Sequence, residues 1–193
     1  MSSDLKVTNI KHESSSSNNL VLGSDGSATI NQISSSSVFP AGHVIQMAHP
    51  TPVSETNALT TTYTNLHEVS ITLEGGNSKI LIHHGFQYYA ASGAGIGMQI
   101  YKDTSSGVST SDTLLAPVGC VDNIGPLHYY SSGSSLYQSA HYSVVDDVTS
   151  NNAGDTIYYG FFYRKRDSVG AAVPNDGQQT DGYFITTLIE ITA

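Results

Sequence analysis

Along residues 77–103 the chain alternates between apolar and polar positions. Ile80, Ile82, His84, Phe86 and Tyr88 share one parity, and Lys79, Leu81, His83, Gly85 and Gln87 share the other. Successive side chains of a strand point to opposite faces, so a period of two predicts a pleated strand with one buried face. Residues 90–97, AASGAGIG, hold a helix poorly and supply the permissive backbone of a turn. Ile96, Met98 and Ile100 then alternate with Gly97, Gln99 and Tyr101. The stretch reads as a long hairpin whose apolar face needs a second sheet to cover it.

The same pattern recurs on both sides. His67, Val69, Ile71 and Leu73 are expected to face inward, with Leu66, Glu68, Ser70 and Thr72 outward. Residues 136–145 alternate again, and 156–163, TIYYGFFY, follow a turn at 151–155. The final strand, 183–191, is apolar on both faces, the pattern of a central strand covered on both sides. No window shows helical periodicity free of Gly and Pro. These readings predict an all-β fold with roughly eight to ten strands in the main domain. Short strand-like pieces at 5–10, 20–22 and 28–33 precede a four-serine run at 34–37. They are too short to bury a core unaided. We therefore divide the chain into an anchoring or oligomerisation segment at 1–33, a Ser-rich linker at 34–38 and a β-sandwich head at 39–193.

Composition narrows the function. Charged residues make up 12% of the 193 and the net charge is −9, so the chain is polar without being highly charged. An acidic surface disfavours phosphate backbones and anionic lipid, and we expect neither a nucleic-acid nor a membrane partner. Cys120 is the only cysteine. It excludes an intrachain disulfide and a cysteine-rich zinc site, and is expected to be a buried small hydrophobe. The amino terminus lacks a signal-peptide pattern, so we expect synthesis in a cytoplasm without ordinary export.

Three phrases carry a family resemblance: LKVTNIKHESSSSNNLVLGSDGSATI at 5–30, FPAGHVIQM at 39–47, and GDTIYYGFFYRKRD at 154–167 with YFITTLIEITA at 183–193. The first resembles the opening of many bacteriophage virion proteins. The second resembles the entry to the domain that follows it in them. The third resembles the closing strands of phage-borne jelly-roll sandwiches shaped like the tumour necrosis factor and C1q heads, which end in an "l-x-E-I" phrase, here Leu188–Ile191. The resemblance implies a non-enzymatic, homotrimeric virion protein, of tail-fibre or receptor-binding type. Residues 1–33 would hold other virion proteins, and the head would meet a host-surface glycan. A capsid decoration or head fibre is the alternative, and a virion-borne glycan depolymerase a further one. A C1q-like soluble binding head would need an export signal.

Candidate chemistry is sparse. His83 and His84 are adjacent, so on a strand their rings diverge. His84 is expected in the core and His83 on the polar face. Ser, His and Asp are abundant, but no Gly-x-Ser-x-Gly elbow occurs. The pair Asp146-Asp147 could suggest glycoside hydrolysis, but adjacent carboxylates diverge and a solvated loop is expected. We expect no catalytic residue, metal or cofactor. Tyrosine is the dominant aromatic, with 12 Tyr and no Trp, and the pairs at 88–89, 129–130 and 158–159 put one ring on each face. Contacts are assigned to two polar loops, 102–112 and 164–182. They rest on Ser109, Thr110 and Ser111 in the first, and on Arg164, Lys165, Arg166, Asn175, Asp176, Gln178 and Gln179 in the second. The basic run 164–166 holds three of the seven positive charges.

Overall fold

Alternation of apolar and polar residues is realised as strands throughout. The structure, a computed structural model, describes residues 9–10, 20–22, 24, 28–30, 41–52, 59–92, 94–115, 127–130, 136–165, 172–174 and 184–193. Among them there is no helix. Backbone contacts separate the chain into two compact units, Met1–Phe39 and Pro40–Ala193. The first contains β1 (Asn9–Ile10), β2 (Leu20–Leu22) and β3 (Ala28–Ile30), which form an antiparallel sheet in that order. The linker assigned to 34–38 lies outside the described residues, as do Leu5, Val7 and Cys120.

The second unit is an antiparallel β-sandwich. Its strands are β4 (Val44–Ala48), β5 (Thr64–Thr72), β6 (Ser78–Ala90), β7 (Gly95–Asp103), β8 (Thr113–Leu114), β9 (Leu127–Tyr130), β10 (Leu136–Val148), β11 (Thr156–Lys165), β12 (Ala172–Pro174) and β13 (Ile185–Thr192). One sheet has the order β10-β6-β13-β4, with β12 on β6 beyond the end of β13. The other has the order β5-β11-β7, with the short β8 and β9 both on the free side of β7. With the short β8, β9 and β12 set aside, successive strands β4, β5, β6, β7, β10, β11 and β13 alternate between the sheets, the winding of a jelly roll.

That winding corrects one expectation. β6 and β7 are not a hairpin, because β6 pairs with β10 and β13 while β7 pairs with β11. The small-residue segment after Ala90 carries the chain from one sheet to the other. The greasy face of β6 is therefore covered by the sheet that β7 belongs to.

Burial follows the alternation. Ile80, Ile82, His84, Phe86 and Tyr88 are buried, as are His67, Val69, Ile71 and Leu73. They meet Ile96, Met98 and Ile100 of β7 and Ile157, Tyr159, Phe161 and Tyr163 of β11 in one core. The tyrosine pairs at 88–89 and 158–159 divide as expected: Tyr88 and Tyr159 are buried, and Tyr89 and Tyr158 lie on the outer faces, half-buried, while the side chains of the 129–130 pair lie outside those described. β13 sits between β6 and β4. Its inward residues Phe184, Thr186, Leu188 and Glu190 are buried, but outward Ile185 is 50% exposed. No second layer from this unit's described residues covers that outer side.

Candidate functional site

The two sheets are joined through polar groups as well as through the core. His67 of β5 and His84 of β6 both face inward and flank Thr186 of β13. His67 Nε2 lies 2.9 Å and His84 Nδ1 2.8 Å from Thr186 Oγ1. His84 Nε2 lies 2.5 Å from the Tyr163 hydroxyl on β11. His84 stacks on Phe161 with centroids 4.0 Å apart, and His67 stacks on Phe184 at 5.5 Å. Burial pushes the His67 pKa down to about 4. Burial, helped by the nearby His67 and His141, holds His84 well below its ordinary value. Both rings are therefore neutral at pH 7, while burial keeps Tyr163 a phenol.

The protons have one economical arrangement. Tyr163 O–H donates to His84 Nε2, His84 Nδ1–H donates to Thr186, and the Thr186 hydroxyl donates to His67 Nε2. That leaves only His67 Nδ1, a buried nitrogen without a partner. The reverse arrangement strands the Tyr163 proton as well. Apart from His67 Nδ1, the polar atoms of this core network are turned on each other under aromatic rings.

A second buried network joins the two ends of the head. Glu190 of β13 is fully buried. Its Oε2 accepts from Gln46 Nε2 at 2.7 Å and from the Glu74 amide at 3.0 Å. Its Oε1 accepts from the Gly75 amide at 3.0 Å and from Ser78 Oγ at 2.7 Å. A Cβ on Gly75 would meet Ile45 Cδ1 at 2.7 Å and Ser78 Oγ at 3.2 Å, so a larger residue there would have to displace the end of the Ile45 side chain. A third network places Asp146 Oδ1 2.5 Å from Lys102 Nζ of β7, while Tyr159 O–H donates to Oδ2 at 2.9 Å. Asp146 is therefore not in a solvated loop: it lies within β10, 4% exposed, and only Asp147 faces solvent. The two carboxylates point to opposite faces and do not converge on a substrate. Among the described residues no group of three or more His, Cys, Asp or Glu is arranged to hold a metal.

The contact residues assigned from sequence fall into three groups. Ser109, Thr110 and Ser111 lie between β7 and β8 in a loop that is built rather than slack. Glu68 accepts from the Gly107 amide at 3.1 Å and the Val108 amide at 2.8 Å. Asp112 accepts from the Ser109 amide at 2.7 Å and from its hydroxyl at 3.0 Å. Val108 is buried with Tyr101 and Phe162 on the outer face of the second sheet, where Gly160 leaves room: a Cβ there would meet Val108 Cβ at 2.9 Å. Thr110 and Ser111 are exposed, and Ser111 edges a polar hollow of about 350 Å³ with Asp103, Asp112 and Asn151.

Arg164 and Lys165 belong to β11, paired with Gly97 and Ile96, so the strand runs two residues beyond the loop boundary expected from sequence. Arg164 lies over the Tyr63 ring at 4.8 Å, and its Nε is buried without a partner. Tyr63 packs on the Val108 cluster, so the first loop and Arg164 flank one covered patch. Arg166, Asn175, Asp176, Gln178 and Gln179 lie outside the described residues.

The outer face of the first sheet was not assigned from sequence. Its register lines Val145, Leu81, Ile189 and Met47 in one row across β10, β6, β13 and β4. Beside it runs a row of Ser143, His83 and Thr187, extended by His49, whose Nδ1 is 3.1 Å from Thr187 Oγ1. Four of the five exposed large hydrophobics among the described residues lie on this face: Val44 at 51%, Met47 at 63%, Val145 at 52% and Ile185 at 50%. Between Ile185 and His141 the face dips over Gly85 into a hollow of about 260 Å³. The available signal was the apolar character of β13 on both parities.

No known protein family matches the chain, and no curated protein is similar to it.

Proposed function

We propose that this chain is a non-enzymatic structural protein of a bacteriophage virion. In this reading residues 1–33 anchor it to the particle, and the jelly-roll sandwich is the head of a homotrimer that meets a host-surface glycan. The supporting observation is the Gln46–Glu190 contact. Two phrases that carry the resemblance, FPAGHVIQM and LIEI, are 144 positions apart in sequence and share a hydrogen bond of 2.7 Å. The residues that look like the family are thus residues that close the sandwich, and the polar groups inside it are, His67 Nδ1 apart, turned on one another. The exposed Thr110 and Ser111 and the neighbouring hollow offer hydroxyl and amide groups suited to a glycan.

The reading is tested on particles of the phage that encodes the chain. Gold-labelled antibody against the chain should decorate a fibre, tail or capsid station in electron micrographs. Purified chain incubated with host-surface polysaccharide should release no oligosaccharide. Absence of label from particles overturns the virion assignment, and released oligosaccharide replaces it with the depolymerase.

A further inference from the structure

We propose that copies of this chain associate through the outer face of the β4-β13-β6-β10 sheet, and that the histidines on that face make the association acid-labile. The inference names the surface and the regulation of the oligomer proposed above, and it rests on that reading only for the existence of an oligomer.

The contrast between the two sheets carries it. The second sheet has its outer face closed by its own chain, where Val108 is buried against Tyr101 and Phe162. The first sheet has no such cover among the described residues and holds most of the exposed large hydrophobics. Four strands about 4.8 Å apart and roughly 25 Å long give about 500 Å² in plan before side-chain relief is added. That is the order of the ~800 Å² each partner gives a standard interface.

Charge selects a second copy as the occupant. Each chain carries −9, so two copies can meet closely only where the surface is neutral. Among the described residues the middle of this face carries no carboxylate and no lysine or arginine. Its charged pair, Lys79 and Asp147, is directly opposed across β6 and β10 at one end. The hollow over Gly85 is open to a side chain from the facing copy.

The same face determines what acid does. His83 Nδ1 is 2.7 Å from Ser143 Oγ and His49 Nδ1 3.1 Å from Thr187 Oγ1, while His141 borders Gly85. Their neighbours are hydroxyls and apolar side chains, which do not compensate an imidazolium once water is excluded. Beneath the face, His84 and His67 are neutral, Asp146 is engaged by Lys102 and Tyr159, and Glu190 by its four donors. No anion underneath is spare. An imidazolium forced against such neighbours without water weakens the association, so acid should loosen it.

Methionine oxidation reads this residue by residue. Met47 is 63% exposed in the single chain and Met98 is fully buried. The full-length chain is sedimented at pH 7.5 and 5.5, then treated briefly with peroxide and mapped by mass spectrometry. At pH 7.5 it should sediment as an oligomer, with Met47 oxidised at least tenfold more slowly than in Val145→Glu. At pH 5.5 that protection should vanish while Met98 stays unreactive. The double variant His83→Asn, His141→Asn should retain more of the protection at pH 5.5. An oligomer in which Met47 reacts as fast as in Val145→Glu overturns the assigned surface and leaves the oligomer standing. A monomer at pH 7.5 overturns both. Protection unchanged at pH 5.5, or loss of it only together with Met98, overturns the acid lability.

Discussion

Lowering the pH from 7 to 5 should destabilise the head by about 2 kcal/mol through His67, with His84 acting in the same direction. His67 and His84 are buried and neutral in the fold, and both titrate near 6.5 once unfolded. Below 6.5 the unfolded chain therefore binds protons that the folded chain refuses, and stability falls as pH falls. For His67, with a folded value of about 4, the integral between pH 7 and 5 is about 2 kcal/mol. His84, held well below its ordinary value by burial, acts in the same direction. The His67 loss levels off once pH passes its folded value. Asp103 and Asp147, held below the ordinary carboxylate range by hydrogen bonds from Ser105 and Thr149 respectively, act below this window. For a chain of this length the His67 loss corresponds to about 4–8 °C in Tm. The assay is urea or thermal unfolding at pH 7, 6 and 5 at fixed protein concentration, with His67→Phe alongside. The ring sits among Phe161 and Phe184, and His84 retains Thr186, so this variant should fold. It should lose about 2 kcal/mol of the acid dependence. A His67→Phe protein with the same pH dependence as the parent would refute the reasoning.

Glu190→Ala strands the Glu74 and Gly75 amides and takes one of two acceptors from Ser78 Oγ and Gln46 Nε2, and should cost about 2–5 kcal/mol in urea unfolding. Gly160→Val drives a side chain into Val108 and Phe162, and should cost about 1–3 kcal/mol; a neutral result would mean that the loop does not pack there. Glu68→Ala releases the Gly107 and Val108 amides, and should raise hydrogen exchange across residues 105–110 while leaving β5 protected. Thr110→Ala and Ser111→Ala should each change stability by less than about 0.5 kcal/mol yet weaken host adsorption. Adsorption unchanged by either substitution would remove that loop from the glycan-binding reading.

Much of the head was legible in the sequence because strand alternation is a local property. A period of two put His84 inward and His83 outward, split the tyrosine pairs 88–89 and 158–159, and excluded helix, with no knowledge of which strands pair. It also marked β13 as apolar on both sides, although the outer side is left open rather than covered. What alternation cannot encode is partnership. Whether β6 turns back on β7 or crosses to the other sheet depends on how the jelly roll closes, and no residue of the 91–94 turn specifies it. Asp146 looked solvated because the pair it forms with Asp147 precedes a turn. It is buried because Lys102 and Tyr159, brought by other strands, supply its hydrogen bonds. Gln46 and Glu190 lie near opposite ends of the head, and His67, His84, Tyr163 and Thr186 come from four strands. Each of these contacts joins chain segments that only the tertiary fold brings together. Local sequence fixes the face a side chain takes, and long-range strand pairing fixes what it meets there.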